Sequence, residues 1–169
     1  KGMAIRFKET DVRPMGRAAR GVKAMTLDAD DEIVGLEKIR EGATLLTITE
    51  KGYGRRSEPG EYRLIRRGGK GVTNYKQIET RGLVAGIKMV SEQDDVIMIT
   101  DSGVILRTSA DQISSQSRYG GGVTVMRVDD GCRVVTITSA PKEEAEEAET
   151  EETAGEGGSG AYEENSTRE

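Results

Sequence analysis

The apolar positions of this chain fall in short runs. Segments 43–49 (ATLLTIT), 95–100 (DVIMIT), 104–108 (VILRT), 123–127 (VTVMR) and 132–138 (CRVVTIT) are rich in Val, Ile and Thr and bounded by Gly, Asp or Ser. That composition and length predict β-strands. TEKG (49–52) and TDSG (100–103) supply the turn chemistry between strands, with a glycine able to take positive φ. No stretch sustains a helical period. The expectation is an all-β chain.

The pattern also repeats. Gly2, Gly52 and Gly103 each follow Lys or Ser and open a strand, at spacings of 50 and 51 residues. The arginine closing that strand recurs as Arg6, Arg56 and Arg107. RAARGVKAM (17–25), RGGKGVTNY (67–75) and RYGGGVTVM (118–126) align without a gap, which registers Arg17, Arg67 and Arg118, then Gly21, Gly71 and Gly122. The unit ends register as well: VGLEKI from Val34, AGIKMV from Ala85 and VTITSA from Val135. Four strands in a unit of roughly 40 to 50 residues is the arithmetic of a propeller-like blade. The boundaries that follow are a partial blade over 1–39, a second over 40–90 and a last over 91–140. Rings of this kind have about 4 to 8 blades, and an open ring exposes strand edges. Lys1 enters directly into a patterned segment, so earlier repeats are expected before it.

Charge divides the chain differently. Residues 1–140 hold 23 Lys and Arg against 19 acids, a net of +4, whereas residues 141–169 hold two cations against 11 acids, a net of −9. That tail is nearly free of apolar residues and is expected to be disordered. Its GEGGSG (155–160) matches a dinucleotide-binding pattern with no strand before it or helix after it, and its NST (165–167) lacks a secretory context. With no His and Cys132 alone, the usual general base, an internal disulfide and a thiolate metal cluster are all excluded, and a reducing cytoplasm fits. The acidic run Asp28, Asp30, Asp31, Glu32 fails the EF-hand pattern at Ile33. No stretch reaches the roughly 18 apolar residues of a membrane span.

The remaining chemistry lies in RRGGKG, Arg66, Arg67, Gly68, Gly69, Lys70 and Gly71. It is no P-loop: Gly71 follows Lys70 where Ser or Thr belongs, and Leu64 occupies the first glycine's place. As a plain turn it would favour Asn, Asp or Pro, and cations recur in the other copies as Arg17, Arg20 and Arg118. A backbone clamp for nucleic acid accounts for both features. Glycines let the main chain approach a phosphate, and flanking cations displace counterions. Several such loops in a row would offset the cost of bending a duplex. Only Tyr119 is placed to stack a base, so sequence-independent binding of double-stranded DNA is expected. Arg56 and Arg107, with Arg6, are expected on the same DNA-facing rim, the alternative being pairing with blade acids such as Glu58 or Asp111.

IRRGGKG (65–71) resembles the glycine-basic box of the DNA gyrase A C-terminal domain, with Ile65 where that box usually begins with Gln. ITEKGYGRRSEPGEYRLIRRGGKGV, MITDSGVILRT, GGGVTVMRV and the acidic tail resemble the same family. The resemblance implies a propeller-like β-pinwheel, usually six-bladed, of which this chain holds about three four-stranded blades and the tail. It implies wrapping of double-stranded DNA for a type IIA topoisomerase that introduces negative supercoils. It further implies a bacterial cytoplasmic setting, a homodimer through the rest of gyrase A, and assembly with gyrase B as an A2B2 heterotetramer. The cleavage tyrosine and the ATP and Mg²⁺ of the reaction would belong to the rest of the enzyme, leaving no catalytic residue, cofactor or metal here. Tyr53, Tyr62, Tyr75, Tyr119 and Tyr162 are accordingly not assigned to cleavage. The corresponding C-terminal domain of topoisomerase IV, whose box is degenerate, and a propeller-like protein-interaction scaffold are the competing readings.

Overall fold

The computed structural model describes residues 1–142. Nine strands form: β1 (Met3–Ala4), β2 (Thr44–Thr49), β3 (Tyr53–Ser57), β4 (Val72–Thr73), β5 (Val84–Val90), β6 (Asp94–Thr100), β7 (Ile105–Ser109), β8 (Val123–Thr124) and β9 (Val134–Pro141). One four-residue helix, α1 (Ile78–Arg81), and three single 3₁₀ turns complete the described residues. The all-β expectation holds.

The strands are shared between repeats. The middle sheet runs β5-β2-β3-β8, so its fourth strand comes from the following repeat. β4 of the second repeat likewise pairs with β1 of the first. The two exchanges use one register, with Met3 opposite Thr73 and Tyr53 opposite Thr124. The last sheet, β7-β6-β9, has three strands. A register shift recurs between Ile48 and Thr49 and between Ile99 and Thr100.

Glycine makes the exchange possible. Gly52 has φ +76°, and its carbonyl accepts the amides of Val125 and Met126 at 2.9 and 3.1 Å. Gly2 has φ +78° and accepts from Asn74 and Tyr75 in the same way. Only a residue without Cβ adopts that angle freely at so close an approach.

The hydrophobic core joins the middle and last sheets through Leu46, Ile48, Val90, Val96, Met98, Ile113, Met126, Val134 and Ile137. It is aliphatic, as the scarcity of aromatics requires. Successive repeats stack in register: a Cβ at Gly35 would lie 2.8 Å from Ile87, and one at Gly86 would lie 2.9 Å from Ile137.

Two expectations change. Residues 34–39, aligned with β5 and β9, form no strand: Gly35 packs on Ile87 of β5 and the Glu37 carboxylate accepts from Lys88 and the Met89 amide, so side-chain contacts stand where a ladder was expected; Val34, Leu36 and Ile39 are exposed. The first unit, expected as a partial blade, contributes one two-residue strand, β1, among the described residues. The last blade also extends past residue 140: Pro141 ends β9 opposite Asp94, and Lys142 pairs with Asp111 at 2.9 Å. The rest of the expected disordered tail lies outside the described residues.

Candidate nucleic-acid interface

The three box loops stack in series. Gly71 (φ +81°) and Gly122 (φ +79°) turn the chain into the donated strands β4 and β8, where a Cβ would sit 2.2 Å from the Ala4 carbonyl oxygen and 2.7 Å from that of Gly54. The second loop binds the first: the Gly68 amide donates to Ala24 at 2.6 Å, and Thr26 donates its amide to Gly69 and its hydroxyl to Gly68. Arg67 donates to the carbonyls of Asp11 and Lys23 at 2.9 and 3.1 Å. One repeat later Arg118 donates to Thr73 at 2.7 Å. Lys23 and Thr73 are equivalent positions, so the same hydrogen bond is made twice. The Tyr75 hydroxyl and Arg81 reach the Gly121 carbonyl, and Arg81 also reaches that of Gly122.

The cations predicted from sequence therefore divide by role. Arg17, Arg20 and Arg66 are exposed and make no hydrogen bond or ion pair among the described residues. Lys70 is exposed but pairs with Asp28 at 2.7 Å, and that hydrogen bond holds its ammonium above the ordinary lysine value. Arg67 and Arg118 fasten one loop to the previous one. Gly68 (φ +89°) provides the bend within the box, and Gly69 offers its carbonyl to Thr26.

The strand-closing arginines face into the blades. Arg6 donates to the carbonyls of Pro59 and Tyr62 at 2.9 and 3.2 Å. Arg56, only 7% exposed, donates to Ile113 at 2.8 Å. Tyr62 and Ile113 are equivalent, so each arginine pins the 3₁₀ turn of the next repeat. Arg107 pairs instead with Asp95 at 2.8 Å in its own sheet. The structure does not bring Arg56 to the box loops; among the described residues Glu92 lies 4.0 Å from Arg56 and Asp95 lies 2.8 Å from Arg107, where Glu58 or Asp111 was expected.

Two cations outside the sequence alignment join the loops. Arg63 and Lys76 line an open cleft of about 420 Å³ with Glu61, Arg118 and Tyr119. The Lys76 ammonium lies 5.1 Å from the centre of the exposed Tyr119 ring, and the Arg118 guanidinium 4.0 Å from it. Cations interleaved with an aromatic are a known signal for nucleic-acid contact, but Lys76 and Tyr119 lie nearly a full repeat apart in sequence. Among the described residues no group of three or more His, Cys, Asp or Glu is arranged to hold a metal, and no helix is long and apolar enough to cross a membrane.

A family described as the DNA gyrase C-terminal domain, beta-propeller, matches residues 1–40, 43–91 and 94–141. The gyrase A protein of Staphylococcus aureus (strain NCTC 8325 / PS 47) is 40% identical over 144 residues, 84% of this chain and 16% of that protein. The gyrase A protein of Lawsonia intracellularis is 39% identical over 138 residues, 80% of this chain and 17% of that protein. This chain thus spans about a sixth of the length of these relatives. A solved structure of a DNA gyrase A C-terminal domain superposes with a TM-score of 0.76 at 31% identity, covering 82% of this chain and 47% of that one. The C-terminal domain of a DNA topoisomerase IV superposes equally well, TM-score 0.76, at 22% identity over 83% of this chain and 44% of its own, a likeness of fold.

Proposed function

Because the chain belongs to the DNA gyrase C-terminal domain family, we propose that it binds and bends double-stranded DNA for gyrase A. The observation that carries this reading is the stack of box loops. Arg17, Arg20 and Arg66 stand exposed on loops tied together in register, and Arg63 and Lys76 extend the cationic surface. Main-chain and cation contacts of this kind position a phosphate backbone without reading bases. The surface is open, which suits an extended polyanion better than a small ligand.

In the whole protein the chain would work beside the rest of a gyrase A homodimer and with gyrase B in an A2B2 assembly, in the bacterial cytoplasm. ATP and Mg²⁺ would serve those other parts. Its own task would be to hold DNA in the bent path that lets strand passage run in one direction. The topoisomerase IV reading rests on the fold alone at 22% identity, and the intact box favours gyrase. A protein-interaction scaffold would use the same cations against an acidic partner.

Binding of random-sequence duplex, followed against salt, tests the proposal. Affinity should be insensitive to sequence and fall with salt on a log–log slope of about −0.9 per phosphate neutralised. No duplex binding at low salt would overturn it in favour of an acidic protein partner.

A further inference from the structure

Arg55 is the largest fully buried side chain of the described residues, at 0% exposure, and it has no ion pair among them. A buried guanidinium is costly unless its donors are matched by well-placed acceptors. Here the acceptors come from both neighbouring box loops. Nε donates to the Gly120 carbonyl at 3.0 Å and Nη2 to that of Arg118 at 2.6 Å, both in the third loop. Nη2 also reaches the Asn74 carbonyl, and Nη1 the Ser57 hydroxyl at 3.0 Å. Asn74 belongs to the second loop, and its side-chain oxygen lies 3.4 and 3.5 Å from the two terminal nitrogens. The Tyr75 ring covers the group at 5.4 Å.

The strand itself does not need this residue. The equivalent positions of the first and third repeats are Ile5 and Leu106, so an aliphatic side chain can occupy that place in the sheet. The planar, five-donor fork of arginine serves a different purpose: it can bind two loops at once.

We infer that Arg55 is a positioning residue, fixing the second and third box loops as one unit so that their cations meet a phosphate backbone together. This rests on the DNA reading above, and the Arg55 charge, which no carboxylate pairs among the described residues, lies beneath the same loops.

Arg55→Leu, matching the third repeat, is the test in the full chain. The amides of Gly120 and Gly122, which donate to the Ser117 carbonyl and the Gln116 side chain, should exchange faster relative to those of Leu46 and Ile48 in β2. Duplex affinity should fall several-fold, and the salt slope should shrink by about 0.9 for each phosphate no longer neutralised. Arg55→Lys keeps a cation but has one head, so it should retain part of the affinity while the loop amides still exchange faster; it carries the test if the leucine variant does not fold. If the loop amides change only in step with β2, the positioning role is overturned whether or not DNA binds. If stability drops while affinity and slope stay at the wild-type values, Arg55 only supports the fold. Failure of the wild-type chain to bind duplex would instead sink the DNA reading, leaving the exchange result to decide the loops.

Discussion

A Cβ placed on Gly52 would sit 2.1 Å from the carbonyl oxygen of Met126, two residues beyond the donated strand β8. Gly103, the same position one repeat later, has nearly the same angle (φ +84°) but nothing within 4 Å of its Cβ. The pair separates backbone strain from steric exclusion. Gly103→Ala should cost only the left-handed conformation, roughly 1–2 kcal/mol. Gly52→Ala should cost well beyond that, above about 4 kcal/mol, because the exchanged strand must lift away. Denaturant unfolding of the two variants checks this, and similar midpoints would contradict it.

Arg66→Ala should weaken duplex binding about equally for all sequences and reduce the salt slope by about 0.9. Lys70→Ala should do less, since Asp28 already holds that ammonium. Asp28→Asn should accordingly tighten binding at low salt. Fluorescence anisotropy across a salt series reads all three, and a larger drop at Lys70 than at Arg66 would reverse the ranking.

Arg56→Ala should lower stability by about 1–3 kcal/mol, leaving the buried Ile113 carbonyl without its donor, with duplex affinity little changed. Thermal unfolding beside a binding titration distinguishes this from a role at the DNA surface, where affinity would fall and stability would not.

Tyr62 is buried and donates its hydroxyl to Asn74 at 2.6 Å. Burial pushes its phenol above the ordinary value, opposed in part by the nearby Arg55 charge. Below the ordinary phenol value of about 10, folded and unfolded chains both keep the proton and its stabilisation is complete. As pH rises further the unfolded chain ionises first, so stability is lost on the way up through the raised folded value. Unfolding midpoints from about pH 9 to about pH 11 should show this fall, and Tyr62→Phe should flatten it at a cost of about 1 kcal/mol at neutral pH.

Much of this architecture is legible in the spacing of a few residues. The glycine series through Gly52 and Gly71 locates both halves of each strand exchange, since both positions carry positive φ. Which repeat receives the strand is not legible, because β4 and β8 are two-residue strands whose partners lie about 70 residues away. The roles of Arg55 and Arg56 are hidden for another reason. Alternation along a strand would turn one of two neighbours outward, yet Gly54, Arg55, Arg56 and Ser57 are all buried, because β3 is covered on both faces. Charge alone makes Arg66 and Lys70 equals, and only the fold brings Asp28 to one of them.

The exchanged strands also determine what counts as a unit of folding. In a row of self-contained blades, each would unfold with its own stability and a weak interface term. Here β3 is completed by a segment about 70 residues further along the chain, so a sheet cannot be whole until its successor has been made. Nearest-neighbour coupling of this kind behaves like a one-dimensional cooperative chain, in which interface terms between repeats add to the intrinsic stability of each. Cutting at the sequence boundary between repeats therefore does not isolate a blade. A cut near residue 91 would leave the middle sheet without β8 and deprive the Gly52 carbonyl of both its donors. Excision after Met126 would keep that sheet whole and leave an unfinished remnant of the next.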